Sequence, residues 1–185
     1  MKILGIAGSL RRESWNRKLL LTAAELLPDD AELELWEGLK SVPPYDEDDD
    51  REPAPAAVAR FRDAIAIADA VLVATPEYNS SVPGQLKNAL DWASRPHPTN
   101  VLRNKPVAVV GASTGGFGAV WAQAELRKIL ASIGARVVDG EVLVGLAPRR
   151  FDADGRLFDE DLRAQLADVL QALLVEARPR MAVAA

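Results

Sequence analysis

The order of apolar runs and helical periodicities predicts an α/β chain, a doubly wound five-stranded parallel sheet with strand order 2-1-3-4-5. Three observations carry this. Residues 2–7, 70–74 and 107–110 are almost unbroken apolar runs, as expected of parallel strands buried on both faces. Each is followed, after a polar loop, by apolar residues at helical spacing. One further segment, 31–36, instead alternates Glu32 and Glu34 with Leu33 and Leu35, which places it at a half-wet edge.

The elements follow in order. Residues 2–7 form the first strand. Leu19, Leu20, Ala23, Leu26 and Leu27 mark a helix over 15–27, ended by Pro28 because the residue before proline avoids the α region. The edge strand leads into a loop with Pro43, Pro44, Tyr45 and an acidic run at 46–50. That run reads as solvated surface. Val58, Phe61, Ile65 and Ala68 give a helix over 56–68. The strand at 70–74 runs into a polar loop, and Pro83 stands where a helix can start. That helix carries Leu86, Ala89, Leu90 and Ala93 and reaches about Pro96. The strand at 107–110 opens into a glycine-rich loop, then a helix with Leu126, Leu130 and Ile133, closed by Gly134. A strand over 137–144 is interrupted at Asp139-Gly140, and Asp159 caps a last helix. We expect one domain over 1–175 and a frayed tail over 176–185.

Composition narrows the chemistry. Net charge is −5, which disfavours nucleic acid or an anionic membrane as partner, and no apolar run reaches spanning length. The chain has no cysteine and one histidine. Disulfides, thiolate metal sites and Cys nucleophiles are excluded, so any redox chemistry has to come from a bound cofactor. His97, between two prolines, reads as a loop residue. No His/Asp/Glu grouping has metal-ligand spacing. The chain opens into a strand pattern without a leader, so a cytoplasmic location is expected.

In this sheet order, ligands bind at the carboxyl ends of the strands flanking the switch between the first and third. The loops after strands one, three and four converge there. The first holds Ser9, Arg11, Arg12, Ser14 and Asn16 at a strand-to-helix junction, where free backbone N–H groups and the helix dipole attract anions. Neither G-x-x-x-x-G-K-[ST] nor G-x-G-x-x-G is present. Hydroxyl, amide and guanidinium donors suit a mononucleotide phosphate, with FMN the leading candidate. The simpler alternative is an ordinary turn with Ser14 as N-cap. The second loop holds Pro76, Glu77, Tyr78 and Asn79. The backbone N–H groups of its last three residues are candidate donors to a flavin's pyrimidine edge, and the Glu77 side chain is read as surface. The third holds Ser113, Thr114, Gly115, Gly116 and Gly118, where glycine permits close approach to a planar ligand. Asp91 and Trp92 lie on a helix, where Trp92 reads as packing, and Trp121 reads as core or interface.

Gly8-Ser9-Leu10-Arg11 with Ser14 and Asn16, Pro76-Glu77-Tyr78-Asn79 with Pro83-Gly84, Leu86-Lys87-Asn88-Ala89 and Asp91-Trp92, and Ser113 with Gly115-Gly116 together resemble the NAD(P)H-dependent FMN reductases. These have the flavodoxin-like fold and include quinone, azo-dye and chromate reductases. The resemblance implies that Ser9, Arg11, Ser14 and Asn16 hold the FMN phosphate. It implies that Pro76, Glu77, Tyr78 and Asn79 line the ring and that Ser113, Gly115 and Gly116 border it. It implies NAD(P)H as co-substrate, a quinone-like or other small acceptor, ping-pong turnover and a homodimer or homotetramer. The alternatives are a flavodoxin-type electron carrier without NAD(P)H turnover, and a regulatory module without flavin. Arg11 and Arg12 weigh against the carrier, whose phosphate loop is expected to be Thr-rich.

Overall fold

Strands and helices alternate through the computed structural model, which describes residues 1–178. They are β1 (Lys2–Ala7), α1 (Trp15–Leu26), β2 (Glu32–Trp36), α2 (Ala56–Ile67), β3 (Ala70–Thr75), α3 (Gly84–Ala93), β4 (Pro106–Ala112), α4 (Val120–Ile133), β5 (Arg136–Val137), β6 (Leu143–Val144) and α5 (Glu160–Ala177). The strands form one parallel sheet in the order β2-β1-β3-β4-β5, with β6 also on β4. The last helix continues to Ala177, past the expected start of fraying at 176. The rest of the expected tail, 179–185, lies outside the described residues.

Period-two alternation sends neighbouring strand residues to opposite faces. Leu4, Ile6, Val71, Val73, Val107 and Val109 pack under α2, α3 and α4, with Phe61, Leu86 and Leu126. Ile3, Leu72, Ala74, Ala108 and Val110 pack under α1 and α5, with Leu19, Leu20, Leu166 and Leu173. At the edge, Glu32 and Glu34 of β2 face water, and Glu34 pairs with Lys2 at 2.6 Å. Trp92 is wholly buried and its Nε1 donates to the Pro43 carbonyl at 2.9 Å, in keeping with a packing role. Gln85 donates to the Leu39 and Val42 carbonyls and Asn88 to that of Pro43. One face of α3 thereby straps down the long segment after β2.

The expected fifth strand is two short pieces, β5 against the start of β4 and β6 against its end. Gly140, with φ +116°, turns the chain out of the ladder between them. Arg127 of α4 fills the gap and donates to the carbonyls of Val109, Val138 and Gly140. Buried carbonyls that lose a ladder partner need another donor, and a guanidinium supplies several from one side chain. Among the described residues no helix is long and apolar enough to cross a membrane.

Candidate functional site

The register aligns Ala7 with Ala74 and Thr75 with Gly111, so β1, β3 and β4 end at one rim. The loops that follow are bonded to each other. The Gly8 amide donates to the Ala74 carbonyl at 2.8 Å. A Cβ at Gly8 would stand 2.9 Å from Leu86 and 3.3 Å from Pro76, so glycine is what lets the first two loops touch.

In the first loop Ser14 caps α1 and its Oγ accepts from the Arg17 amide at 3.2 Å. Ser14 is buried, so its hydroxyl shapes the helix start. Asn16 is only 2% exposed. Its Nδ2 donates to the Ala112 carbonyl and its Oδ1 accepts from the Ala112 amide, both at 2.9 Å. The amide therefore braces α1 against the end of β4, and its oxygen is already engaged. Ser9 Oγ accepts from the Arg11 amide at 3.4 Å, and Arg11 Nη2 donates to the Glu13 carbonyl at 3.3 Å. Among the described residues the backbone amides of Leu10 and Glu13 find no acceptor. Free amides, a hydroxyl and a guanidinium at a helix N-terminus fit a phosphate monoester.

The second loop is a tight hairpin. Tyr78 and Ser81 exchange both backbone hydrogen bonds, at 3.0 and 3.1 Å, around Asn79 and Ser80 at φ 52° and 60°. Two successive positive φ values make this a primed turn. The Tyr78 amide is thus spent inside the hairpin and leaves the set of expected ring donors, while those of Glu77 and Asn79 have no acceptor among the described residues. The Tyr78 side chain is exposed and Pro76 is buried.

The expectation of a surface side chain at Glu77 is corrected. Its Oε2 accepts from the Trp121 and Ala122 amides at 3.0 and 3.1 Å. The N-cap residue of α4 is Ala119, in the left-handed region and with no side-chain acceptor, so a carboxylate from another loop does the capping. Charge at this end is favourable with respect to the helix dipole. Glu125 adds a second tie, accepting from Ser81 Oγ at 2.6 Å and from the Val82 amide at 3.3 Å. The sequence placed Glu77 in the ring-lining loop through its backbone but carried no sign of its side-chain capping role or of Glu125, since neither pairing leaves a local signature.

In the third loop Ser113 Oγ accepts from the Gly115 amide at 3.1 Å. Gly115 and Gly116 are exposed, have no left-handed φ, and a Cβ would meet nothing closer than 3.5 Å at the first and nothing within 4 Å at the second. Nothing inside the protein requires glycine there, which suits an outside ligand lying close. Gly118 differs, with φ +58° and a Cβ that would fall 2.4 Å from Leu143; its absent side chain serves internal packing. His97 is exposed on its loop, and among the described residues no His/Cys/Asp/Glu group could hold a metal ion.

Three tied loops with a phosphate-type donor cluster at one end and free amides at the other match a flavin mononucleotide cradle. Residues 1–149 match the family model for NADPH-dependent FMN reductase. This chain belongs to that family. It is an NAD(P)H-dependent flavin enzyme with FMN as cofactor, which sets aside both the electron carrier and the flavin-free module. The chain is 45% identical over 174 residues to an NAD(P)H-dependent FMN reductase of Pseudomonas aeruginosa, covering 94% of this chain and 93% of that one. It is 40% identical to a 2-hydroxy-1,4-benzoquinone reductase of a Burkholderia species, covering 90% of each. Among solved structures, the flavoenzyme NAD(P)H:(acceptor) oxidoreductase of Paracoccus denitrificans superposes with TM-score 0.84 at 35% identity, covering 95% of this chain and 98% of that one.

Proposed function

We propose that this enzyme reduces quinone-like small acceptors at the expense of NAD(P)H in two half-reactions that share one open face. The observation that carries the reading is the single rim made by the β1, β3 and β4 loops, with unengaged amide donors along it. The relatives named for FMN and benzoquinone reduction support it. FMN supplies the two-electron chemistry when bound. In this reading Ser9, Arg11 and the Leu10 and Glu13 amides hold its phosphate. Ser14 and Asn16 act as positioning residues, by capping α1 and by tying α1 to β4. Pro76 with the Glu77 and Asn79 amides lines the ring, Tyr78 flanks it, and Ser113, Gly115 and Gly116 border it. No side-chain acid or base is required, so the protein's contribution is orientation and preset donors.

We also assign a homo-oligomer, formed through exposed aromatic side chains on the same rim. Phe117 and Trp121 are 67% and 49% exposed and pair edge to face at 5.1 Å. Apolar exposure of this kind marks an association surface. A cytoplasmic protein without nucleic-acid or membrane partners fits the acidic charge balance.

The test is spectroscopic and kinetic. Purified protein should show bound-flavin absorbance, bleach with NADPH and recover its colour with a quinone, giving parallel lines in double-reciprocal plots. Ser9→Ala with Arg11→Ala should weaken FMN binding by about 3 kcal/mol, since both remove hydrogen bonds to a charged group. Unchanged flavin affinity in that double variant would overturn the phosphate assignment.

A further inference from the structure

A groove of about 510 Å³ lies beside the first loop, on the side away from β3. One wall comes from the β1–α1 turn, with Arg11 and Arg12, and the other from the end of β2 and the short 3-10 turn after it, with Leu39 and Lys40. Leu35 and Trp36 make the lining partly apolar.

The charges in it are unbalanced. Glu13 and Glu37 are its carboxylates. Glu37 is taken by Arg17 at 2.8 Å, and Glu13 by Lys18 at 3.3 Å. Arg12 and Lys40 have no ion-pair partner among the described residues. Two unpaired cations thus border one groove from separate chain segments, in a protein of net charge −5. An apolar-lined groove with free cations takes a flat heterocycle bearing a phosphate.

We propose that this groove receives the adenosine end of the reductant, with Arg12 and Lys40 holding a ribose 2′-phosphate, and so gives the enzyme preference for NADPH over NADH. The inference rests on the flavin site above, because the nicotinamide has to reach the ring-lining loops after β3 and β4. Strands stand about 4.8 Å apart, so the gap between β1 and β2 is two spacings, roughly 10 Å, from that between β3 and β4. A dinucleotide covers such a distance. Ser9 and Arg11 border both the groove and the flavin cradle, so the two ligands would lie side by side.

The test is calorimetric titration of the FMN-loaded protein with adenosine 2′,5′-bisphosphate and with adenosine 5′-diphosphate. The bisphosphate should bind at least tenfold more tightly. Arg12→Ala with Lys40→Ala should abolish that preference and raise KM for NADPH about tenfold, leaving KM for NADH and FMN affinity unchanged. Equal or absent binding of the two nucleotides would overturn the proposal. So would a double variant that keeps the preference, or one that loses FMN affinity, since the groove would then serve the flavin. The same titration is repeated on protein stripped of FMN, where the bisphosphate preference should persist, so failure of the flavin site and failure of this proposal are separable.

Discussion

At the residue scale, Glu77 shows how one carboxylate joins two loops. Its oxygen satisfies two amides at the start of α4 that Ala119 cannot serve. Losing such a cap costs about 1–2 kcal/mol. Glu77→Ala should therefore lower stability by that amount in denaturant unfolding and loosen FMN, because the hairpin that we propose lines the ring loses its tie. Glu77→Gln keeps an oxygen acceptor and should recover most of the stability. Equal losses in the two variants would point to the charge, through the helix dipole, and away from the hydrogen bonds. Asn16 plays a comparable part across the first and third loops. Asn16→Ala would remove the side-chain partner of the buried Ala112 amide and carbonyl, and a buried group left orphaned costs about 1–3 kcal/mol.

At the scale of elements, the glycine-rich loop between β4 and α4 separates two reasons for glycine. Gly118 has a left-handed φ and lies against the Leu143 backbone. Gly118→Ala should destabilise the fold by more than about 2 kcal/mol, from strain together with overpacking. Gly116 has open space. Gly116→Ala should leave the unfolding midpoint unchanged and reduce FMN affinity, measured by fluorescence titration. Unchanged affinity would remove Gly116 from the ring border. The α3 strap is a second element-scale device, with Gln85, Asn88 and Trp92 holding the backbone carbonyls after β2. Asp50 of the acidic run is held similarly, by Arg62 of α2 at 3.0 Å. That carboxylate anchors the segment, and the remainder of the run faces water.

At the scale of the whole molecule, Lys105 makes stability pH-dependent. It lies just before β4, at the amino ends of the strands, and donates to the Ala66 and Ala68 carbonyls at the end of α2. Burial lowers its pKa below the ordinary 10.5, with Asp69 partly opposing. The folded state therefore releases this proton at a lower pH than the unfolded chain. Wherever the unfolded state binds more protons, stability rises with pH. The Lys105 contribution should thus grow as pH climbs through the interval just below 10.5, and Lys105→Met should remove that rise when unfolding is followed across the same interval.

The sequence by itself determined the parallel sheet, the edge position of β2, the cap Asp159, and the three loops that meet at one rim, while it offered the Ser14 cap only as the alternative to a phosphate contact. Apolar runs, helical spacing and capping residues act over a few neighbouring positions, so they are readable along the chain. Only the tertiary structure decided that the Tyr78 amide is consumed by its own hairpin, that Glu77 caps a helix 44 residues away, and that Asn16 is committed to Ala112, 96 residues away. It also decided that Arg127 fills the gap in the interrupted fifth strand and that Arg12 and Lys40 border one groove. These outcomes depend on which donors and acceptors the fold brings within hydrogen-bond reach, and separation along the chain carries no record of that distance.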